Sequence, residues 1–172
     1  MSALHASRKM FLDTVAPLSE AQWNFKPAPE IWSAAEIAEH IATSEEFIPQ
    51  MIKSKVLSSP AAPDKRAEAK KKDEKLLAAL TNREQKFQAP EMLQPKKRFA
   101  TKAQVVDAFK TARDGHIRYI ETSQDPLRDH FMPHPALGDL DAYQWYLLVA
   151  GHAERHVLQM RELIARPDFP KK

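Results

Sequence analysis

Two histidines four residues apart, His152 and His156, stand within the apolar stripe of the last long helical segment. The stripe recurs at three- and four-residue intervals, as in an amphipathic helix, through Trp145, Leu148, Val149, His152, His156, Met160 and Leu163. At this spacing two Cβ atoms lie roughly 5–6 Å apart on one face, so both rings are able to reach one metal ion at about 2.0–2.1 Å. A lone inward histidine is more often a hydrogen-bonded core residue. Two in register predict a shared cation, because it satisfies both ring nitrogens.

A third histidine, His40, lies beside the apolar stripe of an earlier predicted helix and is the natural third ligand. Metal sites in helix bundles are built from side chains that project inward from facing helices. Three nitrogen ligands leave one coordination position for water or substrate, whereas a structural zinc site normally has four protein ligands. A cation held in this way lowers the pKa of bound water toward about 7 and deprotonates a bound thiol. The set therefore predicts activation of water or of a thiol.

Other metal motifs do not fit the chain. Segment 152–156 superficially resembles the HExxH motif of zinc proteases, but Glu154 stands one position late and faces another part of the helix surface. A di-iron bundle uses Glu-x-x-His on two helices, whereas Ile37 and Ala153 stand three residues before the corresponding histidines. Thiolate ligands and a cysteine nucleophile are excluded, because the chain contains no cysteine.

Four amphipathic helices are predicted to position these residues. Their apolar stripes indicate helices over residues 4–18, from Ser33 to about Lys55, from Thr101 to about Ile120, and from about Asp141 to Arg166. Ser33 and Glu36 form a capping box at the start of the second helix, and Pro49 should kink this helix or end it early. The connection over residues 57–100 is predicted to contain an exposed helix over residues 64–80. We therefore predict an all-α four-helix bundle in a single domain, residues 1–172.

The composition is that of an ordinary globular protein, with 172 residues, 43% hydrophobic and 28% charged. Only three glycines are present, which argues against a sheet protein with many tight turns. A formal charge of +3, from 26 Lys and Arg against 23 Asp and Glu, is too balanced to indicate nucleic-acid binding. No apolar run approaches roughly 18 residues and the N-terminus lacks a signal-peptide core, so we expect a cytoplasmic protein without a membrane span.

Several motifs follow one another in a definite order along the predicted bundle. They are Trp32-Ser33, Glu36-Ile37, His40, His134-Pro135, Gly138, Asp141, Gln144-Trp145 and His152-x-x-Arg155-His156-x-x-Gln159. This pattern resembles the DinB-like superfamily, the damage-inducible-type four-helix proteins that include proposed thiol-dependent S-transferases. Residues 57–100 carry no motif of this family.

The resemblance implies an up-down-down-up bundle, frequently a homodimer, in which three histidines bind a divalent ion, often zinc or nickel. Carried over to this chain, the ligands are His40 from the second helix and His152 and His156 from the fourth. Members related to bacillithiol or mycothiol transferases use the metal to activate a low-molecular-weight thiol. The resemblance supports metal binding more directly than it supports any one reaction.

Further candidates flank the three histidines or occupy the core. Glu36 and Gln159, one turn from His40 and His156, could hold the ligands by hydrogen bonds, or merely favour the helix. Candidates for the pocket rim are His134 and Arg155, with capping or an interhelical ion pair as the alternative roles. The core-facing residues His116, Trp32 and Trp145 are interpreted as packing residues rather than as ligands or cofactor platforms.

The predicted function is activation of a low-molecular-weight thiol, or of water, by a bound cation for attack on a small electrophilic substrate. An alternative stays open: a non-enzymatic stress or interaction protein, in which the ion stabilises the bundle and the basic connection contacts a partner. No side chain is clearly placed as a general acid or base, which favours the alternative. A metal-bound thiolate, however, needs little help from such a group.

Overall fold

Four long helices form the scaffold in a computed structural model of the chain, which describes residues 2–84 and 88–171. They are α1 (Ser2–Val15), α3 (Ala34–Met51), α6 (Lys102–Thr122) and α7 (Ala142–Ile164). Helix α1 packs against α6 and α7, and α3 packs against the same two helices from the other side. The predicted all-α four-helix bundle is therefore confirmed. No helix in the described ranges is long and apolar enough to cross a bilayer.

The helices that carry the histidines begin at side-chain caps. The Ser33 hydroxyl accepts the Glu36 backbone N–H and the Glu36 carboxylate accepts the Ser33 N–H, which starts α3 with the predicted capping box. Asp141 and Gln144 form the same reciprocal pair at the start of α7. These bonds satisfy backbone donors that a helix start otherwise leaves unpaired. Both helices thus begin at a defined residue, and this start fixes the direction in which each side chain of the helix points.

Pro49 neither stops α3 nor leaves it regular to its end. The α-helix continues to Met51 and is followed by one π-helical turn, Ile52–Val56. Proline lacks the backbone N–H that would bond to the carbonyl four residues earlier. We attribute the change from α- to π-helical hydrogen bonds soon after Pro49 to this missing donor. The helical segment therefore reaches the predicted end near Lys55, with its last turn widened.

The described part of the connection between α3 and α6 is mostly exposed, as expected, but it contains more short elements than the sequence predicts. It contains two short α-helices, α4 (Arg66–Lys70) and α5 (Asp73–Thr81), and two 3₁₀ turns, Pro63–Lys65 and Glu91–Leu93. Helix α5 packs along α7, and its Leu76, Leu77 and Leu80 belong to the apolar core. The expected exposed helix over residues 64–80 is thus two helices, one of which buries a leucine face. A short helix α2 (Glu20–Asn24) joins α1 to α3.

The loop before α7 contains a small antiparallel hairpin that the sequence does not predict. Strands β1 (Phe131–His134) and β2 (Gly138–Asp141) pair with Phe131 opposite Asp141 and His134 opposite Gly138. Gly138 has φ +72°, a left-handed conformation that suits glycine. Because Asp141 both ends β2 and caps α7, the hairpin leads directly into the helix that carries two of the histidines.

A buried polar layer separates two apolar clusters of the bundle. One cluster includes Phe11, Ile41, Phe109, Val157 and Met160, and the other includes Ile48, Ile52, Trp145, Tyr146 and Leu148. Between them the Arg113 guanidinium binds both carboxylate oxygens of Glu45 at 2.5 and 2.9 Å. Arg113 also donates to the Leu4 carbonyl and to the Ser7 hydroxyl. The core is therefore apolar at two levels and ionic at the level between them.

Candidate metal centre

The structure brings the three predicted ligands together between α3 and α7. Nε2 of His40 lies 3.0 Å from Nε2 of His152 and 3.1 Å from Nε2 of His156. Among the described residues, the group of possible metal ligands whose donor atoms all lie within 4.8 Å of one another consists of these three histidines. Two nitrogens on one tetrahedral zinc ion, at about 2.0–2.1 Å from it, are about 3.3 Å apart. The observed separations are close to that value.

The hydrogen bonds of the Nδ1 atoms, which point away from the site, determine whether the Nε2 atoms carry a proton. Nδ1 of His40 lies 2.7 Å from the backbone carbonyl of Leu93, which only accepts hydrogen bonds. Nδ1 of His156 lies 2.8 Å from Oε1 of Gln159. Both Nδ1 atoms therefore donate a proton outward, and in a neutral ring the Nε2 atom is then a bare acceptor.

Two bare acceptors facing each other are unfavourable unless a proton donor or a positive charge lies beside both. The Nε2 atoms of His40 and His156 are 3.1 Å apart, and neither carries a proton for the other. A divalent cation accepts both lone pairs at once, together with that of His152. This donor set therefore fits a metal ion, with imidazole nitrogen ligands of the kind that suit zinc and nickel.

Burial keeps the three rings neutral. It lowers the pKa of His40, although the bond to Leu93 acts in the opposite direction. Burial also lowers the pKa of His156 to about 3, with a further contribution from nearby His40. The pKa of His152 is lowered well below its ordinary value, first by burial and then by His156 and His40. Since a metal binds the unprotonated ring, the site keeps its lone pairs at neutral pH.

An aromatic wall stands on one side of the histidines. The Trp32 ring lies 5.1 Å from the His40 ring and 6.5 Å from the His156 ring, centroid to centroid. His40 is only 2% exposed, whereas His152 and His156 are partly exposed. The site therefore opens on the side of α7. Trp32 is half-buried, so its interpretation as a plain core residue overlooks its position next to the ligands.

The two residues predicted to support the ligands are placed differently. Gln159 lies within hydrogen-bond distance of His156, as described above. Glu36 binds the Ser33 backbone N–H at 2.8 Å and the Lys26 ammonium group at 2.7 Å. Its carboxylate thus caps α3 and pairs with a lysine, and these bonds do not bring it to His40.

The two candidates for the pocket rim have contacts that belong to the scaffold. His134 lies on β1, where its Nδ1 accepts the Ala136 N–H and its ring packs 5.4 Å from that of Trp145. Burial lowers its pKa. Arg155 donates to the backbone carbonyl of Asn82, which ties α7 to the end of α5. His116 is not a spare ligand in this arrangement, because its Nδ1 lies 3.2 Å from Oε2 of Glu45 in the polar layer.

Sequence reasoning overlooked the part that the connection plays at the site. The Leu93 carbonyl comes from the 3₁₀ turn Glu91–Leu93 and binds His40. Glu39, next to His40 on α3, accepts two backbone N–H groups of the same connection through its Oε1. A backbone acceptor leaves no mark in residue type, so no motif could have indicated Leu93. The sequence shows that Glu39 and His40 are adjacent, but this does not indicate a role at the site unless their contacts with the connection are known.

Comparison with known proteins gives the family. A family model described as the DinB superfamily matches residues 3–160. The chain belongs to the DinB superfamily. A protein of Bacillus subtilis (strain 168) named "Uncharacterized protein YuaE" is 26% identical to this DinB chain over 163 residues, which is 95% of this chain and 96% of that protein.

A solved structure supports the fold of this DinB chain. "Crystal structure of TT2238, a four-helix bundle protein" superposes with a TM-score of 0.57 and 18% identity and covers 94% of each chain. At this identity the likeness concerns the fold alone. The resemblance to the DinB-like family predicted from the motifs is thereby confirmed, together with the bundle that it implies.

Proposed function

We propose that this DinB-superfamily chain is a cytoplasmic metal protein in which His40, His152 and His156 hold one divalent ion, zinc or nickel. The observation that carries the proposal is the pair of bare Nε2 atoms 3.1 Å apart, each with its Nδ1 already donating elsewhere. The lowered pKa values of the rings add support, since they keep the nitrogens unprotonated at neutral pH. Three protein ligands leave room for a small molecule.

The reaction we propose is transfer of a low-molecular-weight thiol, or of water, to a small electrophilic substrate. When bound, the ion supplies a positive charge that lowers the pKa of a thiol or water molecule beside it. The chain holds His40 through Leu93 and His156 through Gln159, and Trp32 shields one side from solvent. A thiol is favoured over water, because it loses its proton more readily and so needs less help from a general base.

Metal analysis tests the first step. We expect roughly one equivalent of zinc or nickel in the purified protein, and loss of that metal in each of His40→Ala, His152→Ala and His156→Ala. His134→Ala, a histidine on the hairpin rather than at the site, is the matched control and should keep its metal. Stoichiometric metal in all three ligand variants would contradict the assignment.

A coupled thiol assay tests the second step. The metal-loaded protein is incubated with monochlorobimane and with bacillithiol, mycothiol, glutathione or coenzyme A in turn. We expect faster conjugation with at least one thiol, and loss of the acceleration in His152→Ala. If no thiol reacts faster while the metal is present, the second candidate applies: a non-enzymatic protein that the ion stabilises. This candidate is favoured by the sequence, in which no side chain is clearly placed as a general acid or base.

A further inference from the structure

The segment from Leu93 to Arg98 lies along α3 and is held there at three places. The Leu93 carbonyl binds Nδ1 of His40 at 2.7 Å. Oε1 of Glu39 accepts the backbone N–H of Lys96 at 2.7 Å and that of Arg98 at 3.1 Å. Farther along, the Arg98 guanidinium binds Glu46 at 2.5 Å. Two adjacent residues of α3 therefore fasten the connection at points three residues apart.

The backbone at the Glu39 contact has an unusual conformation. Lys97 has φ +58°, a left-handed conformation that is uncommon for a residue other than glycine and persists where its surroundings hold it. The N–H groups of its two neighbours, Lys96 and Arg98, point to one carboxylate oxygen, as in the concave anion-binding backbone arrangement called a nest. Here the anion is the carboxylate of Glu39, which is only 7% exposed. The Lys97 side chain itself is exposed, so it does not explain the conformation.

We propose that Glu39 is a positioning residue of the metal centre. By filling the nest at residues 96–98, it holds the Leu93 carbonyl against His40 and so keeps the proton of that ring on Nδ1. Without the Leu93 carbonyl as acceptor, the His40 ring would populate its second tautomer. The proton is then on Nε2, where it blocks metal binding. The consequence for metal affinity depends on the proposed function, whereas the consequence for the tautomer does not.

Zinc affinity, measured by competition with a chelator, tests the side chain. We expect Glu39→Ala to weaken zinc binding about 10- to 100-fold, as loss of the groups that orient metal-binding histidines usually does. Glu39→Gln should weaken it less, because an amide oxygen still accepts hydrogen bonds. Glu46→Ala is the matched control. It removes the same charge from the same helix and a contact to the same segment, at Arg98 rather than at the nest, and should leave affinity within about twofold of the wild type.

A pair of backbone variants tests the nest without touching Glu39. Lys97→Gly accepts the left-handed conformation readily and should keep the wild-type affinity. Lys97→Val disfavours that conformation, since branching at Cβ crowds the backbone, and should weaken zinc binding in the same direction as Glu39→Ala. Equal affinities in these two variants would count against the nest.

The decisive measurement is made on the metal-free protein. Long-range proton–nitrogen NMR of the ring, assigned with His40→Ala, should find His40 protonated at Nδ1 in the wild type and partly at Nε2 in Glu39→Ala. A lower melting temperature with unchanged tautomer and zinc affinity would show that Glu39 is merely structural, and the proposal would fail. If the wild type binds no zinc, the proposed function fails, but the tautomer still decides the role of Glu39. Should Glu39→Ala not fold, Glu39→Gln and the Lys97 pair decide it.

Discussion

The hydrogen bond of the nitrogen that points away from the site determines whether the other ring nitrogen has a lone pair free for a metal. For His40 that nitrogen meets a backbone carbonyl, which no substitution at Leu93 can remove. For His156 it meets the side chain of Gln159 at 2.8 Å, which can be exchanged. Gln159 is thus the residue at which the orientation of one ligand can be altered with the least effect on the fold.

We expect Gln159→Ala to weaken zinc binding about 10- to 100-fold, because the His156 ring loses the acceptor that fixes its tautomer. Gln159→Glu should bind zinc at least as tightly as the wild type, since a carboxylate accepts the same hydrogen bond more strongly. Chelator competition measures both values.

Glu36→Ala is the control for that pair. It removes one bond of the capping box and a lysine contact rather than a histidine contact, while the Ser33 hydroxyl still caps the helix, so it should cost about 0.5–1.5 kcal/mol of stability with little change in zinc affinity. A weaker zinc affinity in Glu36→Ala than in Gln159→Ala would contradict the assignment.

At the scale of helices, the close approach of α5 to α7 depends on one glycine. A Cβ atom at Gly151 would lie 2.8 Å from Cβ of Leu80, whereas a Cβ atom at Gly115, on α6, meets nothing within 4 Å. Both glycines are inside helices, so replacement by alanine carries the same intrinsic gain of about 1 kcal/mol in helix propensity. Only Gly151 has a packing reason to be glycine.

Gly115→Ala should therefore raise the free energy of unfolding by up to about 1 kcal/mol. Gly151→Ala should be less stable than Gly115→Ala by about 1–3 kcal/mol, because the new methyl group forces α5 away from α7. Urea unfolding of the two variants gives the comparison. Equal stabilities would mean that α5 moves aside without cost.

The elements that sequence predicts well are those whose ends carry a side-chain signal. Ser33 with Glu36 predicts the start of α3, and the spacing of His152 and His156 predicts that they share a face. The single helix predicted over residues 64–80 is two helices, and most of their residues are exposed, but the leucines of the second helix face α7 among charged residues that dominate the composition. Contacts made through the backbone, such as that of Leu93, depend on how distant segments meet, and no local pattern encodes them.

Across the whole molecule, the buried ion pair links all four long helices. Arg113 on α6 binds Glu45 on α3, carbonyl and hydroxyl groups of α1, and the Val149 carbonyl of α7. Burial alone would raise the pKa of Glu45, but Arg113 and His116 together hold it below its ordinary value of 4.5. The carboxylate therefore adds stability above about pH 4.5, and that stability is lost as the pH falls and the group is protonated.

Removing one partner of this pair should cost more than removing both. We expect Arg113→Met to lose about 3–5 kcal/mol, because Glu45 is left buried without its counter-charge. The double variant Glu45→Met/Arg113→Met should recover most of this loss. It should also lose less stability than the wild type between about pH 5 and about pH 3. Urea unfolding at both pH values measures the effect. If the double variant is as acid-sensitive as the wild type, a group other than Glu45 causes the loss of stability in acid.

A metal ion at the three histidines would add a second link across the bundle, because His40 lies on α3 and the other two ligands lie on α7. A ligand that binds only the folded state at about 100 times its dissociation constant adds about 2.7 kcal/mol. For a chain of 172 residues this corresponds to a rise in melting temperature of about 5–10 °C. We expect that rise when zinc is added to the metal-free protein, and its reversal by a chelator.

The contribution of the link between helices is separated by removing the ligand on α3 alone. His40→Ala leaves two histidines one turn apart on α7, which can still bind zinc weakly but cannot join two helices, so its melting temperature should hardly respond to zinc. His134→Ala should keep the full response, because that residue lies on the hairpin. If His40→Ala kept the full rise, the ion would stabilise α7 by itself. The three-histidine arrangement would then have to be explained by the chemistry of the bound ion rather than by the stability of the fold.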